Sequence, residues 1–182
     1  TAHYPDVTLR IHASEKLADF GADGVDIAVR QARPPFGAGV QARLLFAQQI
    51  VAVASPMLVE KLGRPQRVED LAAYALLDDA HHVWPRFLEK TFPDSAAIAP
   101  RRIVFNQTSF AIDAAIGGQG VALASRFLVA DSLADGRLQC LFDTVLHIEG
   151  GFYVVCPAAP PPGASVLAVR DWLASIAARE EP

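Results

Sequence analysis

Apolar and polar residues follow two different periods along this chain, and the changes between them predict alternating strands and helices. Val7, Leu9 and Ile11 alternate with polar neighbours, which predicts a strand with one more polar face. Ser14 then caps a predicted short helix, and Ser55-Pro56 begins another. The predicted strands are 7–11, 25–30, 43–54, 75–77, 102–105, 121–124, 137–142 and 151–156, and the predicted helices are 15–20, 56–61, 68–73, 84–92, 110–116, 126–134 and 165–178.

This alternation favours an α/β fold built from mostly parallel sheets with helices on both faces. Two long extended runs, near 43–54 and 147–156, have no natural place inside one small sheet. They would serve as paired crossover strands that join two lobes. Ligands of such sheets lie beyond the carboxyl ends of the strands, near helix N-termini. We therefore expect two α/β lobes with a cleft between them.

The composition excludes several classes of protein. The chain has 182 residues, 52% of them apolar, and its 16 basic and 20 acidic residues give a net charge of −4. A disordered tail would be less apolar, and a free-standing nucleic-acid binder would need a basic surplus. No stretch reaches the roughly 18 apolar residues of a membrane span, and no secretion signal is visible. We expect a cytoplasmic protein without a membrane partner.

The chain shows little sign of metal or redox chemistry. Cys140 and Cys156 lie in apolar, strand-like runs without CxxC spacing, which predicts two buried thiols in a reducing compartment. Asp78, Asp79, His81 and His82 form the nearest approach to a metal cluster, but adjacent histidines in a loop point in different directions. We interpret this segment as a solvated loop and predict no metal and no cofactor.

Catalytic motifs are also missing from the sequence. The glycine-rich segment 117–120 follows a helix and precedes a strand, whereas phosphate-binding loops run from strand to helix. It is typical of a helix end followed by a tight turn. No G-x-S-x-G segment occurs, and neither cysteine has a matching histidine nearby. Nothing in the sequence indicates an enzyme.

Polar residues at predicted strand ends are the candidate ligand contacts. The quartet 106–109 stands between a strand and a helix, where helix N–H groups favour an anionic ligand group, although simple capping explains it equally well. Ser14 has the same placement and the same two interpretations. Arg30 ends a predicted strand, where its guanidinium would clamp a carboxylate or form a structural ion pair with Asp26 or another acid.

Several segments, in the right order and spacing, resemble the effector-binding domain of LysR-type transcriptional regulators. The resemblance covers essentially the whole chain and comes closest to the subgroup of the glycine-cleavage activator and the β-lactamase regulator. The segments that carry it are Tyr-Pro-Asp-Val-Thr-Leu (4–9), Asp-Gly-Val-Asp-Ile-Ala-Val-Arg (23–30), the run 45–56 ending in Ala-Ser-Pro, Val-Glu-Asp-Leu (68–71) with Ala-Leu-Leu-Asp (75–78), Ala-Ala-Ile-Gly-Gly-Gln-Gly-Val-Ala-Leu (114–123), Gly-Arg-Leu (136–138) and Val-Arg-Asp-Trp-Leu (169–173).

The resemblance implies a two-lobed fold of the type 2 periplasmic-binding-protein kind. Lobe I would comprise 1–47 and 153–182, lobe II would comprise 48–152, and two hinge strands would join them. A small effector would bind in the cleft and control transcription allosterically. The domains would form head-to-tail dimers, with tetramers in the full-length protein. DNA would be bound only by an N-terminal winged helix-turn-helix, which this chain lacks together with the domain's first strand and most of its first helix.

The resemblance also implies where the effector would bind. Lobe I would contribute Ser14, Arg30 and Phe36, with Phe152 on the returning hinge strand, and lobe II would contribute Gln107, Thr108 and Ser109. A solute-binding protein of a transporter, with the same lobes, is the main competing hypothesis. Two weaker hypotheses are a small enzyme that uses the acid and histidine loop, and a dimerisation module with a vestigial cleft.

Overall fold

Backbone contacts divide the chain into two units, which we describe separately. The computed structural model describes residues 4–14, 16–17, 19–95 and 100–177. Unit 1 combines the chain up to Ala47 with the chain from Glu149 onward, and unit 2 is Gln48–Ile148. The return to unit 1 thus falls a few residues before the boundary at 152–153 that the resemblance implied.

Strands and helices alternate along the described chain. The strands are β1 (Ala28–Ala32), β2 (Val40–Ala54), β3 (Leu76–Asp78), β4 (Arg102–Val104), β5 (Val121–Ser125), β6 (Gln139–Cys140) and β7 (Leu146–Pro157). The α-helices are α1 (Pro56–Leu62), α2 (Trp84–Thr91), α3 (Thr108–Ile116), α4 (Ala130–Ala134) and α5 (Ala164–Ala177), and 3₁₀ helices cover Val68–Ala73 and Arg126–Val129. No described helix is long and apolar enough to cross a membrane.

The two long extended runs are confirmed as β2 and β7, which both pass from one unit into the other. The helix after β2 begins as predicted, because the Ser55 side chain accepts the N–H of Leu58 and Pro56 occupies the first turn. It ends at Gly63, whose φ of 80° lies in the left-handed region that favours glycine. Local chemistry thus defines both ends of α1.

The strand predicted over 7–11 is not formed. This segment has no regular structure, and Leu9 and Ile11 are 41% and 93% exposed. A segment of alternating apolar and polar residues forms a strand only where a neighbouring strand pairs with it and an apolar surface covers one of its faces. No described residue pairs with 7–11 in a sheet, so the pattern alone does not produce one.

The helix predicted over 15–20 is also absent from the described residues, which leave out Glu15 and Ala18. Asp19 instead organises a turn. Its carboxylate accepts the N–H groups of Gly21 and Ala22, and its carbonyl accepts the N–H of Asp23. Short aspartate side chains bind nearby backbone in this way and thereby compete with helix formation.

Among the described residues, parallel pairing is confirmed only for β3, β4 and β5 of unit 2. Strand β3 pairs in parallel with β4 and with β5, and helices α2 and α3 connect these strands. Strand β2 is antiparallel to β5 and to β6, and β1 is antiparallel to β7. The expectation of mostly parallel sheets is therefore wrong in detail, because the long strands β2 and β7 contribute antiparallel pairs.

Strand β5 divides the core of unit 2 into two apolar clusters, one on each face. Val121 and Leu123 pack in the cluster that contains Trp84 and Phe87 of α2. Ala122 and Ala124 pack in the cluster that contains Ala111, Ala114 and Ala115 of α3. The two helices therefore cover opposite faces of the same sheet, and small side chains on the α3 face allow close packing.

Close approach at the start of β5 predicts that Gly120→Ala destabilises unit 2. A Cβ atom at Gly120 would overlap with the carbonyl oxygen of Ala75, which is backbone and cannot rotate away. We expect a loss of about 1–3 kcal/mol in the free energy of unfolding, measured by urea denaturation. Gly117→Ala is the control, because its Cβ would make only ordinary contacts at 3.5 Å. Equal stability of the two variants would contradict the prediction.

Candidate functional site

Arg30 is the charged residue of unit 1 with the clearest unmet hydrogen-bonding capacity. It lies in the middle of β1 rather than at its end, on the half-buried face of an alternating strand. Its Nε is buried and has no hydrogen-bond partner among the described residues. The ion pair with Asp26 that the sequence left open is not among the ion pairs of the described residues. A buried donor without a partner is unfavourable, so Arg30 is suited to an anionic ligand group.

One aromatic residue lies opposite Arg30, and a second packs against the first. The register of β1 with β7 places Tyr153 directly opposite Arg30, so both side chains project from the same face of the pair. The ring of Phe36 meets the ring of Tyr153 edge to face, with centroids 4.7 Å apart. We call Arg30, Phe36 and Tyr153 the Arg30 surface. Tyr153 was missed in the sequence because its relation to Arg30 depends on strand register, which no local motif encodes.

The other two candidates of unit 1, Phe152 and Ser14, make their contacts with residues outside the Arg30 surface. Phe152 is opposite Gln31 in the register and therefore projects from the other face of the β1–β7 pair, where its ring stacks on Phe46 with centroids 4.8 Å apart. Ser14 is exposed, and its hydroxyl oxygen accepts the backbone N–H of Lys16 at 3.1 Å. Both residues remain predicted ligand contacts.

The polar quartet of unit 2 stands at the start of α3, as its position between a strand and a helix predicted. Helix α3 begins at Thr108, earlier than expected, and Gln107 precedes it with extended backbone and no capping hydrogen bond from its side chain. Gln107 and Ser109 are exposed and Thr108 is half-buried. The first N–H groups of a helix lack partners within it, so this end offers both side-chain and backbone donors.

A carboxylate from another element already occupies this helix end. The hydroxyl of Thr108 donates to Oδ2 of Asp79 at 2.5 Å, and Oδ1 of Asp79 accepts the backbone N–H of His81 at 3.0 Å. A negative charge beside a helix N-terminus is favourable, but it repels a second anion. The start of α3 is therefore less suited to an anionic ligand group than the sequence indicated.

Asp78 corrects the interpretation of the acid and histidine segment as a solvated loop. His81 and His82 are exposed, but the side chain of Asp78 is only 2% exposed. Its carboxylate lies 3.4 Å from Nη2 of Arg102 and 3.2 Å from Nδ1 of His82. Asp78 thus anchors the loop to β4. The described residues contain no group of side chains that could hold a metal ion.

The cysteines are both free thiols among the described residues. Cys156 is buried, as predicted, whereas Cys140 is only half-buried. Cys140 lies in the short strand β6, which pairs with β2 through Gln139 and Cys140.

Comparison with known proteins gives one consistent result. Residues 1–178 match the family described as the LysR substrate binding domain. The glycine cleavage system transcriptional activator of Escherichia coli (strain K12) is 32% identical over 179 residues, which is 98% of this chain and 58% of that protein. The chain thus spans less than two thirds of the length of that relative.

Solved structures agree with the family match. The effector domain of the transcriptional regulator AmpR of Pseudomonas aeruginosa has a TM-score of 0.76 at 28% identity, covering 98% of this chain and 85% of that chain. The AmpR effector binding domain from Citrobacter freundii has a TM-score of 0.77 at 21% identity, covering 98% of this chain and 87% of that chain. These likenesses confirm an α/β fold of the periplasmic-binding-protein type.

The anchoring role of Asp78 predicts that Arg102→Gln destabilises unit 2. The substitution leaves a buried carboxylate with only the His82 ring beside it among these two partners. Because Arg102 is itself 43% exposed, we expect a moderate loss of about 1–2 kcal/mol in the free energy of unfolding. Arg101→Gln is the matched control, because it removes the same charge one residue away. Denaturation curves that coincide for the two variants would argue against the anchor.

Proposed function

The chain belongs to the LysR substrate-binding domain family, the effector-binding part of LysR-type transcriptional regulators, and on that premise we propose that it binds a small carboxylate-bearing effector and controls transcription allosterically. The observation that carries the ligand class is Arg30, whose buried Nε has no partner among the described residues. A ligand carboxylate would supply the missing acceptor.

The chemistry of Arg30 favours a carboxylate over a neutral group. A guanidinium stays charged at all physiological pH values and presents donors in a planar fork that matches the two oxygens of a carboxylate. The neighbouring rings of Phe36 and Tyr153 offer apolar contact to the rest of a small molecule. The Arg30 surface therefore combines one charged anchor with an apolar flank.

Unit 2 contributes the second set of contacts in this proposal. Gln107, Thr108 and Ser109 present polar side chains at the start of α3, where backbone N–H groups are also available. Ser14 and Phe152 are secondary candidates, since the Ser14 hydroxyl already accepts a backbone N–H and the Phe152 ring is stacked on Phe46.

The proposed mechanism is a population shift. A ligand favours the conformation of the chain that it binds more tightly, and it shifts the equilibrium only by that difference in affinity. Homodimerisation through this domain, tetramers of the full-length protein, DNA binding by a part outside this chain and a cytoplasmic location belong to the same proposal. It assigns no catalytic step and no cofactor to the chain.

The family match also bears on the main competing hypothesis. A transporter's solute-binding protein would share the fold, but residues 1–178 match the LysR substrate binding domain, and the relatives are transcriptional regulators. These matches support regulation of transcription over transport.

The proposal predicts that Arg30→Gln weakens binding of carboxylate ligands. Titration calorimetry of the chain would be run with simple carboxylic acids, 2-hydroxy acids, amino acids and aromatic acids. For each acid that binds, we expect the variant to lose affinity by about tenfold to a hundredfold, since a hydrogen bond to a charged group contributes roughly 1.5–3 kcal/mol.

Arg33→Gln provides the matched control, because Arg33 lies in the same unit and forms an exposed ion pair with Glu149. This variant should bind the same acids as the unaltered chain. Unchanged affinity in Arg30→Gln would remove Arg30 from the site, and a complete absence of carboxylate binding would refute the proposed ligand class.

A further inference from the structure

A cavity of about 250 Å³ lies between strand β2 and helix α5 of unit 1. It is lined by Gln41, Ala42 and Arg43 of β2 and by Arg170 of α5. Typical pockets for drug-sized ligands measure roughly 300–1,000 Å³, so an occupant of this cavity would be small. We call it the Arg43–Arg170 cavity. Its long side chains are two guanidinium groups and one amide, which favour a polar occupant.

Two positive charges at this cavity share one negative charge. Nη1 of Arg43 lies 3.4 Å from Oδ1 of Asp171, and Nε and Nη2 of Arg170 donate to the same oxygen at 3.0 and 2.9 Å. Within the part of the chain that the structure describes, Arg43 and Arg170 form ion pairs with no other carboxylate. A guanidinium carries more N–H donors than one oxygen can accept. Positive charge and donors therefore remain for an anionic ligand.

Arg170 is held more firmly than an ordinary surface arginine. Its side chain is only 24% exposed, whereas that of Arg43 is 57% exposed. The hydrogen bond to Asp171 raises the pKa of the Arg170 guanidinium, and the nearby Cys156 thiol acts weakly in the same direction. A side chain that is already ordered loses less conformational entropy when a ligand binds. Arg170 is therefore arranged in advance as a charged contact.

The Arg43–Arg170 cavity lies on the opposite face of the sheet of unit 1 from the Arg30 surface. Arg30 is opposite Tyr153 in the register, so both project from one face of the β1–β7 pair. Cys156, three positions after Tyr153 in the same strand, projects from the other face, and the Arg170 guanidinium lies beside it. A ligand in the cavity is therefore separate from one at Arg30.

From these observations we propose that the Arg43–Arg170 cavity is a second ligand site, which binds a small oxyanion. Arg170 is the principal contact, Arg43 is the second, and the amide of Gln41 donates a further hydrogen bond. Carboxylates and phosphates share the chemistry that this site recognises, since both present pairs of oxygen acceptors that match the fork of a guanidinium. The inference goes beyond the proposed function, because it does not require Arg30.

The test follows the Nε–Hε signals of the arginine side chains by ¹H–¹⁵N NMR spectroscopy during titration of the chain at constant pH and ionic strength. Acetate and benzoate are the carboxylate probes, and inorganic phosphate is the phosphate probe. We expect at least one probe to shift the signals of Arg43 and Arg170 along the same saturating curve, with a dissociation constant of about a millimolar. The relative affinities of the probes then distinguish a carboxylate site from a phosphate site.

Arg43→Gln should weaken the binding, read from the Arg170 signal, by about tenfold or more, because it removes one charged donor. Arg43 is more than half exposed, so this variant tests the site without disturbing the packing of α5. Arg170→Gln should abolish the shift of the Arg43 signal. Arg33→Gln is the matched control, because it removes the same charge from an exposed ion pair with Glu149 in the same unit, and it should leave the affinity unchanged.

The outcomes separate this inference from the proposed function. If no probe shifts the Arg43 and Arg170 signals with saturation, or if Arg43→Gln leaves the affinity unchanged, the second site is overturned while the role of Arg30 still stands. Arg30→Gln should leave the shifts at Arg43 and Arg170 intact, even where it weakens carboxylate binding at the Arg30 surface. Loss of those shifts in Arg30→Gln would overturn the independence of the cavity.

Discussion

The parallel register of β3 with β4 and β5 is the constraint on which the candidate site of unit 2 depends. It brings three strand ends to one edge, so that groups distant in the sequence, Asp79 and Thr108, become neighbours. The register itself is held by burial, because every residue of β5 is buried and its alternate side chains pack against α2 on one face and α3 on the other. A slip of one residue would exchange those two faces.

Unit 1 shows how the same dependence on register acts in an antiparallel pair. The β1–β7 pairing places Tyr153 opposite Arg30 and turns Phe152 to the other face. Both aromatic residues are neighbours in the sequence, yet only Tyr153 shares a face with the charged residue. The consequence is an arginine opposite Tyr153, with one buried donor left unpaired among the described residues. That arrangement is better suited to binding an anion than to a structural ion pair.

The charge beside the start of α3 differs from the one that the sequence predicted. The start of α3 was expected to attract an anion, but the Asp79 carboxylate lies there. Asp79 and Thr108 are twenty-nine positions apart in the sequence. No local sequence pattern therefore predicts that their side chains are in contact. Asp78, by contrast, is buried and paired with Arg102. Adjacent residues of identical chemistry thus have different partners: a guanidinium for Asp78 and the Thr108 hydroxyl for Asp79.

The sequence by itself determined the elements whose ends and faces are set by local chemistry, such as α1 between Ser55 and Gly63 and the long strands β2 and β7. Its family-specific segments also determined the family. Tertiary structure alone decided whether 7–11 forms a strand, which strands pair in parallel, and which polar groups of the described residues remain unpaired. The physical reason is that strand formation, register and hydrogen-bond satisfaction depend on partners far away in the chain, whereas caps and periodicity act over a few residues.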